Sequence, residues 1–151
     1  MGTQFVPPDF DAPDTFSFVG FHLEPLGPQH NERDHEAWMS SIDHIRSTPG
    51  FSPEEEPGWP VVMSLERNLE DLERHARDFA ERRGYTYSIL EGEDVVGCIY
   101  IYPSKTPDHD AVISSWVTGS RADSDEAVRD ALGEWIDEVW PFSSPHYAGR
   151  G

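Results

Sequence analysis

A chain of 151 residues suffices for one domain with a buried core and leaves little room for a second. Asp and Glu number 29 against 11 Lys and Arg, a formal charge of −18, and Lys105 is the one lysine. Such a charge repels phosphate backbones and anionic membrane surfaces, so nucleic acid and membranes are excluded as partners, whereas cationic amines, small or peptidic, remain.

Aromatic residues make up 12% of the sequence, which argues for a folded domain despite a charged fraction of 26%. The lone Cys98 rules out an intrachain disulfide and any cysteine-based zinc site. It lies in an apolar run, where a cysteine acts as a small buried hydrophobe. The first twenty residues hold no Lys or Arg and are interrupted by Pro7, Pro8 and Pro13, so no signal peptide is expected. The longest apolar run, Val95 to Tyr102, falls far short of the ~20 residues of a membrane span, and a cytoplasmic location is expected.

In chain order, residues 1–17 read as an extended tail whose Phe5, Phe10 and Phe16 can dock onto the body or onto a second chain. Residues 18–151 read as one domain. A strand from Phe18 stops at Pro25. Asn31 caps a helix to about Arg46, with Trp38, Ile42 and Ile45 as its buried stripe. Pro49, Pro53, Pro57 and Pro60 make 47–63 a long loop, which also carries Glu54, Glu55, Glu56 and Trp59. Ser64 caps a second helix to about Arg83, with Leu65, Leu69, Leu72, Ala76, Phe79 and Ala80 facing inward and Gly84 closing it in the left-handed region.

Tyr85–Leu90 and Val95–Tyr102, joined by a turn at Glu91–Asp94, form an antiparallel hairpin. A third strand covers Ala111–Thr118. A helix follows over about Ser124–Trp140, begun by Asp123 and Glu126 as a capping box and striped by Val128, Ala131, Leu132, Trp135, Ile136, Val139 and Trp140. The remaining residues can add a short last strand. The order predicts an α+β (mixed α/β) domain of three layers, an antiparallel-rich sheet flanked by helices.

Three stretches in this order resemble the GNAT superfamily of N-acetyltransferases: Phe21-His-Leu-Glu-Pro-Leu26 before a helix, the hairpin Ile89–Ile101 with its Val95-Val-Gly97, and Ser114-Ser-Trp-Val-Thr118 turning into Glu126–Leu132. Together they span about 18–142. The resemblance implies a GNAT fold and acyl transfer from acetyl-CoA to an amine. It implies that the strand before the turn splays from its neighbour and bonds the pantetheine arm with its backbone, and that the turn cradles the pyrophosphate. The cofactor residues implied are Trp116, Val117, Thr118, Arg121, Ala122 and Ser124. Trp116 faces either the core or the cleft. Ala122 and Ser124 stand where the family carries glycines, Asp123 and Asp125 add negative charge, and Arg121 is the one cation between Lys105 and Arg129.

Asp110, at the start of the third strand, is the implied base, and Tyr147 or His146 the implied general acid. Trp59 with Glu55 in the acidic loop can receive the cationic amine through cation–π contact, or anchor the loop. The resemblance also implies strands and a helix beyond the last helix, where eleven residues follow Trp140. A homodimer that completes the sheet or covers its edge is therefore expected. The alternative is a non-catalytic GNAT-like module that binds a small molecule or a protein segment.

Other chemistry finds no support. The seven histidines form no HExxH pattern, and no metal is expected, although Asp108-His-Asp110 is ligand-like. No phosphate-binding P-loop, dinucleotide fingerprint or Gly-x-Ser-x-Gly elbow occurs.

Overall fold

The strand formers of the hairpin build the centre of a six-stranded sheet. In the computed structural model, which describes residues 5–18 and 20–150, its strands are β1 (Ser17–Phe18), β2 (Phe21–Pro25), β3 (Tyr85–Glu91), β4 (Asp94–Pro103), β5 (Ala111–Val117) and β6 (Pro145–Tyr147). The first four residues of the expected tail, together with Val19 and Gly151, lie outside the described residues. Strands follow one another across the sheet in chain order, antiparallel throughout except for β6, which runs parallel to β5. Four helices flank it: α1 (Asn31–Met39), α2 (Ile42–Arg46), α3 (Leu65–Ala80) and α4 (Asp125–Val139).

Strand parity divides the side chains between two layers. Ile99, Ile101, Ile113 and Val117 face α4 and pack against its Val128, Leu132, Trp135 and Ile136, all 3% exposed or less. Burying each such side chain stabilises the fold by about 1.5–3 kcal/mol. The described part of the N-terminal segment covers this same face. Phe16 stacks on Trp135 and Phe10 packs at a tilt against Trp140, at centroid distances of 5.2 and 5.1 Å. Arg82 donates to the Phe10 and Pro7 carbonyls, and the Tyr87 hydroxyl donates to that of Pro13 at 2.6 Å. The opposite face carries Cys98, Tyr100, Tyr102, Val112, Ser114 and Trp116 beneath α1, α3 and the 47–64 loop.

Five local expectations are corrected. The first strand is a tight β1–β2 turn rather than one strand, pairing Ser17 with His22. The first helix breaks at Ser40–Ser41, where Ser40 Oγ donates to the Ala37 carbonyl at 2.9 Å and competes with the helix ladder. Arg82, not Gly84, takes the left-handed conformation after α3, with φ 62°. Gly84 is instead a matter of space, since a Cβ there would run into the Tyr102 ring. Ala80 and Val139, expected on the inner faces of α3 and α4, are exposed. Finally, α4 begins without a side-chain cap, because a 3-10 turn over Gly119–Ser124 leads into it. Ser64 does cap α3, accepting from Arg67 N at 3.1 Å.

Candidate functional site

The pairing of β5 with β6 stops early. Ala111, Val112 and Ile113 sit opposite Pro145, His146 and Tyr147, and the last bond runs from Ala148 N–H to the Ile113 carbonyl at 2.9 Å. Amide direction alternates along a strand. Trp116 lies opposite Cys98 on β4, and Thr118 N–H reaches the Val96 carbonyl. Ser115 and Val117 therefore turn their N–H and C=O groups outward, where among the described residues no strand pairs with them. The strand thus has a stretch of edge two residues long that no strand pairs among the described residues, although Ser115 and Val117 are themselves buried, 4% and 1% exposed.

A cleft of about 1270 Å³ adjoins this edge on the α1–α3 face. Its floor is a grid set by register. Tyr102, Val112 and His146 form one row across three strands, and Tyr100 beside Ser114 the next. The loop over 47–64 forms one wall. Its Trp59 lies within 6.5 Å, centroid to centroid, of Trp38, Phe51, Tyr100 and Trp116. The other wall is α3, with Asp71, Arg74, His75 and Asp78.

Two polar groups lie deep in the cleft. Asp34, 4% exposed, accepts from Asn68 Nδ2 at 3.1 Å and from the Cys98 thiol at 3.5 Å. Burial pushes its carboxyl up against the pull of these hydrogen bonds. It likewise pushes up the Cys98 thiol, which the neighbouring Asp34 raises further, so this cysteine is no nucleophile. The Tyr100 hydroxyl, also raised by burial, accepts from Trp116 Nε1 at 3.0 Å. On the α3 side, the Tyr102 hydroxyl donates to Asp78 Oδ2 at 2.9 Å and lies 2.8 Å from His75 Nδ1. Burial, with help from Arg74, lowers the His75 imidazole to about 4, so it stays neutral across the physiological range.

The structure gathers some of the expected site residues and disperses others. Trp59 and Trp116 meet ring to ring, and of the two positions open to Trp116 it takes the core: it is 1% exposed, packs among the buried residues beneath α1 and does not line the cleft. Val117 contributes its backbone to the open edge while its side chain enters the α4 layer. Thr118 precedes the 3-10 turn and Ala122 and Ser124 lie within it. Glu55 is bound into its own loop, accepting from Ser52 Oγ at 2.8 Å, and Glu56 rather than Glu55 lines the cleft.

Asp110 is exposed, and its carboxylate is occupied by the Ser143 and Ser144 amides at 2.8 and 3.0 Å. It clasps the segment leading into β6 and does not line the cleft. Tyr147 sits opposite Ile113 on the α4 face, 6% exposed, its hydroxyl 2.5 Å from Ser115 Oγ. The sheet separates it from the cleft. One residue earlier, His146 has the other parity and lines the cleft, its ring 5.0 Å from that of His109. Asp34, His75 and Tyr102 had not been singled out. For Asp34 a signal existed, because it stands one turn before Trp38 on the same buried helical stripe.

The turn after β5 is closed upon itself. Gly119 N–H donates to Ser41 Oγ at 2.9 Å, and Arg121 N–H donates to the Thr118 carbonyl at 2.9 Å. The Arg121 guanidinium is held by Glu91 through both Nε and Nη2. Asp123 is exposed, and Asp125 contacts His44 at 2.9 Å. Among the described residues no cluster of three or more His, Cys, Asp or Glu side chains is arranged to hold a metal, and no helix is long and apolar enough to cross a membrane.

No protein-family model matches the chain, and no curated protein matches it. Solved structures do. A ribosomal-protein-S5-alanine acetyltransferase from Vibrio fischeri superposes with a TM-score of 0.59 at 13% identity, over 82% of this chain and 65% of that one. RimL, a ribosomal L7/L12 alpha-N-protein acetyltransferase, gives 0.60 at 13% identity in its apo form, over 80% of this chain and 62% of that one. Its complex with coenzyme A gives 0.59 at 11% identity, covering 79% and 65%. The chain thus spans somewhat less than two thirds of the length of these enzymes. With its mixed six-stranded sheet flanked by helices, the chain has the GNAT fold.

Proposed function

We propose that this chain is an N-acyltransferase that moves an acyl group from a pantetheine thioester to an amine. The observation that carries this reading is the parting of β5 from β6 beyond Ile113, which leaves the outward amides of Ser115 and Val117 without a partner strand among the described residues, next to Ser114 on the floor of a large cleft. An extended pantetheine arm, with its own two amides, can lie along that edge as an added strand. Ser114 and His146 then flank the thioester from the floor of the cleft. The structural neighbours are named as acetyltransferases of ribosomal-protein amines, which supports an amine, small or peptidic, as the acceptor.

On this reading the amine enters across the 47–64 loop, past Trp59. Its nitrogen lone pair attacks the thioester carbonyl, a C–N bond forms, the C–S bond breaks, and the sulfur leaves as a thiolate that is then protonated. The proton lost by the nitrogen goes to His146, directly or through water. His146 is the cleft-lining base nearest the parted strands. His75 is a poorer acceptor because its imidazole is lowered to about 4 and bound to Tyr102.

The test is thiol release from S-acetylpantetheine and acetyl-CoA in the presence of aliphatic amines and of a short peptide with a free N-terminus. Amine-dependent release is expected, with His146→Gln lowering kcat by about 100-fold, within the range of general base catalysis, and leaving KM nearly unchanged. Calorimetry that shows no binding of either thioester at millimolar concentration overturns the reading in favour of a non-catalytic module.

A further inference from the structure

The fold implies coenzyme A as the acyl donor, and the two halves of that molecule fare differently here. The pantetheine half meets the outward amides of Ser115 and Val117, buried but paired with no strand among the described residues. A diphosphate continuing along β5 arrives where the strand ends, at the Thr118–Ser124 turn and the start of α4. A phosphate site there needs free N–H groups, a close-approaching backbone and positive charge.

The turn is poor in all three. The Gly119 N–H is spent on Ser41 and the Arg121 N–H on Thr118. Ala122 and Ser124 interpose side chains where a backbone would have to approach a phosphate closely. The guanidinium of Arg121 is paired with Glu91, Asp123 stands in the 3-10 turn, and Asp125 and Glu126 set carboxylates in the first turn of the helix. These acids satisfy the helix dipole that a phosphate would otherwise use. From residue 118 to residue 126 the charge is one cation against three anions, before Glu91 is added.

We infer that the chain reads its acyl donor through the pantetheine arm alone and discriminates against the adenosine diphosphate end of coenzyme A. The inference rests on the acyl-transfer reading above and narrows its donor to a pantetheine thioester that brings little or no phosphate to the turn. Such an arm exists free, or as a phosphopantetheine group on a carrier protein. Both share the amide-bearing chain that the open edge fits.

Calorimetric titrations of the full chain with S-acetylpantetheine and with acetyl-CoA, at low and at high salt, test it. The expected dissociation constants agree within about fivefold or favour S-acetylpantetheine, with the acetyl-CoA value improving as salt screens the turn. A larger preference for acetyl-CoA overturns the inference while leaving acyl transfer standing, because even one charge-assisted phosphate contact supplies about tenfold. Failure of both ligands at millimolar concentration instead overturns the acyl-transfer reading itself.

Asp123→Lys gives an independent check, since Asp123 is exposed and bonded to nothing among the described residues. It should tighten acetyl-CoA at least about threefold and leave S-acetylpantetheine unmoved. An unchanged acetyl-CoA affinity shows that the diphosphate does not pass this turn and overturns the argument. A carrier protein bearing an acetyl-phosphopantetheine group separates the two sources. Binding tighter than S-acetylpantetheine assigns the carrier-borne arm, and weaker or equal binding the free one.

Discussion

Replacing His75 by glutamine should make the fold less sensitive to acid. His75 lies on the cleft face of α3, and its imidazole is lowered to about 4 by burial and by Arg74, against the opposing pull of Asp78 and Asp71. In the unfolded chain it titrates near 6.5. Between these values the unfolded state binds the proton and the folded state does not, so stability is full above about 6.5 and is lost as the pH falls toward 4. At pH 5 the loss from this group is about 2 kcal/mol, rising to about 3 kcal/mol below pH 4.

His75→Gln keeps a polar partner for the Tyr102 hydroxyl and removes the titration. Urea unfolding at pH 7.5 and pH 5.0 measures the effect. The wild type should lose about 2 kcal/mol more than the variant between the two conditions, a difference of roughly 4–8 °C in Tm. Contributions from the remaining carboxylates and histidines cancel in that comparison. Equal losses in the two proteins would refute the assignment of a buried, neutral His75.

Asp34→Asn should act with the opposite sign. The Asp34 carboxyl titrates higher in the folded state than in the unfolded chain, so the folded wild type holds its proton more firmly and loses stability as the pH rises from about 4. Denaturant melts should therefore show the asparagine variant gaining on the wild type from pH 4 to pH 7, and a constant gap would sink this account. Gly97→Ala should lower Tm by about 6–12 °C, equivalent to about 3 kcal/mol, because the added Cβ would press on the Trp116 carbonyl and drive β4 from β5. An unchanged melt would show that the two strands yield freely there.

What could be read in advance followed periodicity. The hairpin Tyr85–Pro103 and the helix Asp125–Val139 announce themselves by alternation and by a three-and-four repeat, and both stand within a residue or two of expectation. Less legible were features decided by a single side chain meeting the backbone, such as the break at Ser40 and the left-handed Arg82. The cleft was harder still. Asp34, His75 and Tyr102 come from α1, α3 and β4, and no spacing along the chain links them until the helices lie on the sheet.

Strand parity explains the most consequential gap. Composition and order could mark His146 and Tyr147 together as polar residues near a short last strand. Which of the two reaches the cleft depends on a register of one residue, and that register is set by Ile113 opposite Tyr147. Net charge misled in a related way. The chain carries −18, yet Arg67, Arg74, Arg83 and Lys105, four of its eleven Lys and Arg, line the cleft beside Asp34, Glu56, Asp71, Asp78 and Asp108, while the turn beyond it sets three carboxylates against Arg121. An average over 151 residues conceals this local distribution. The distribution makes the cleft hospitable to a polar acceptor and the turn inhospitable to phosphate. On the proposed reading it is the placement of charge at this turn, not the sum over the chain, that disfavours a phosphate.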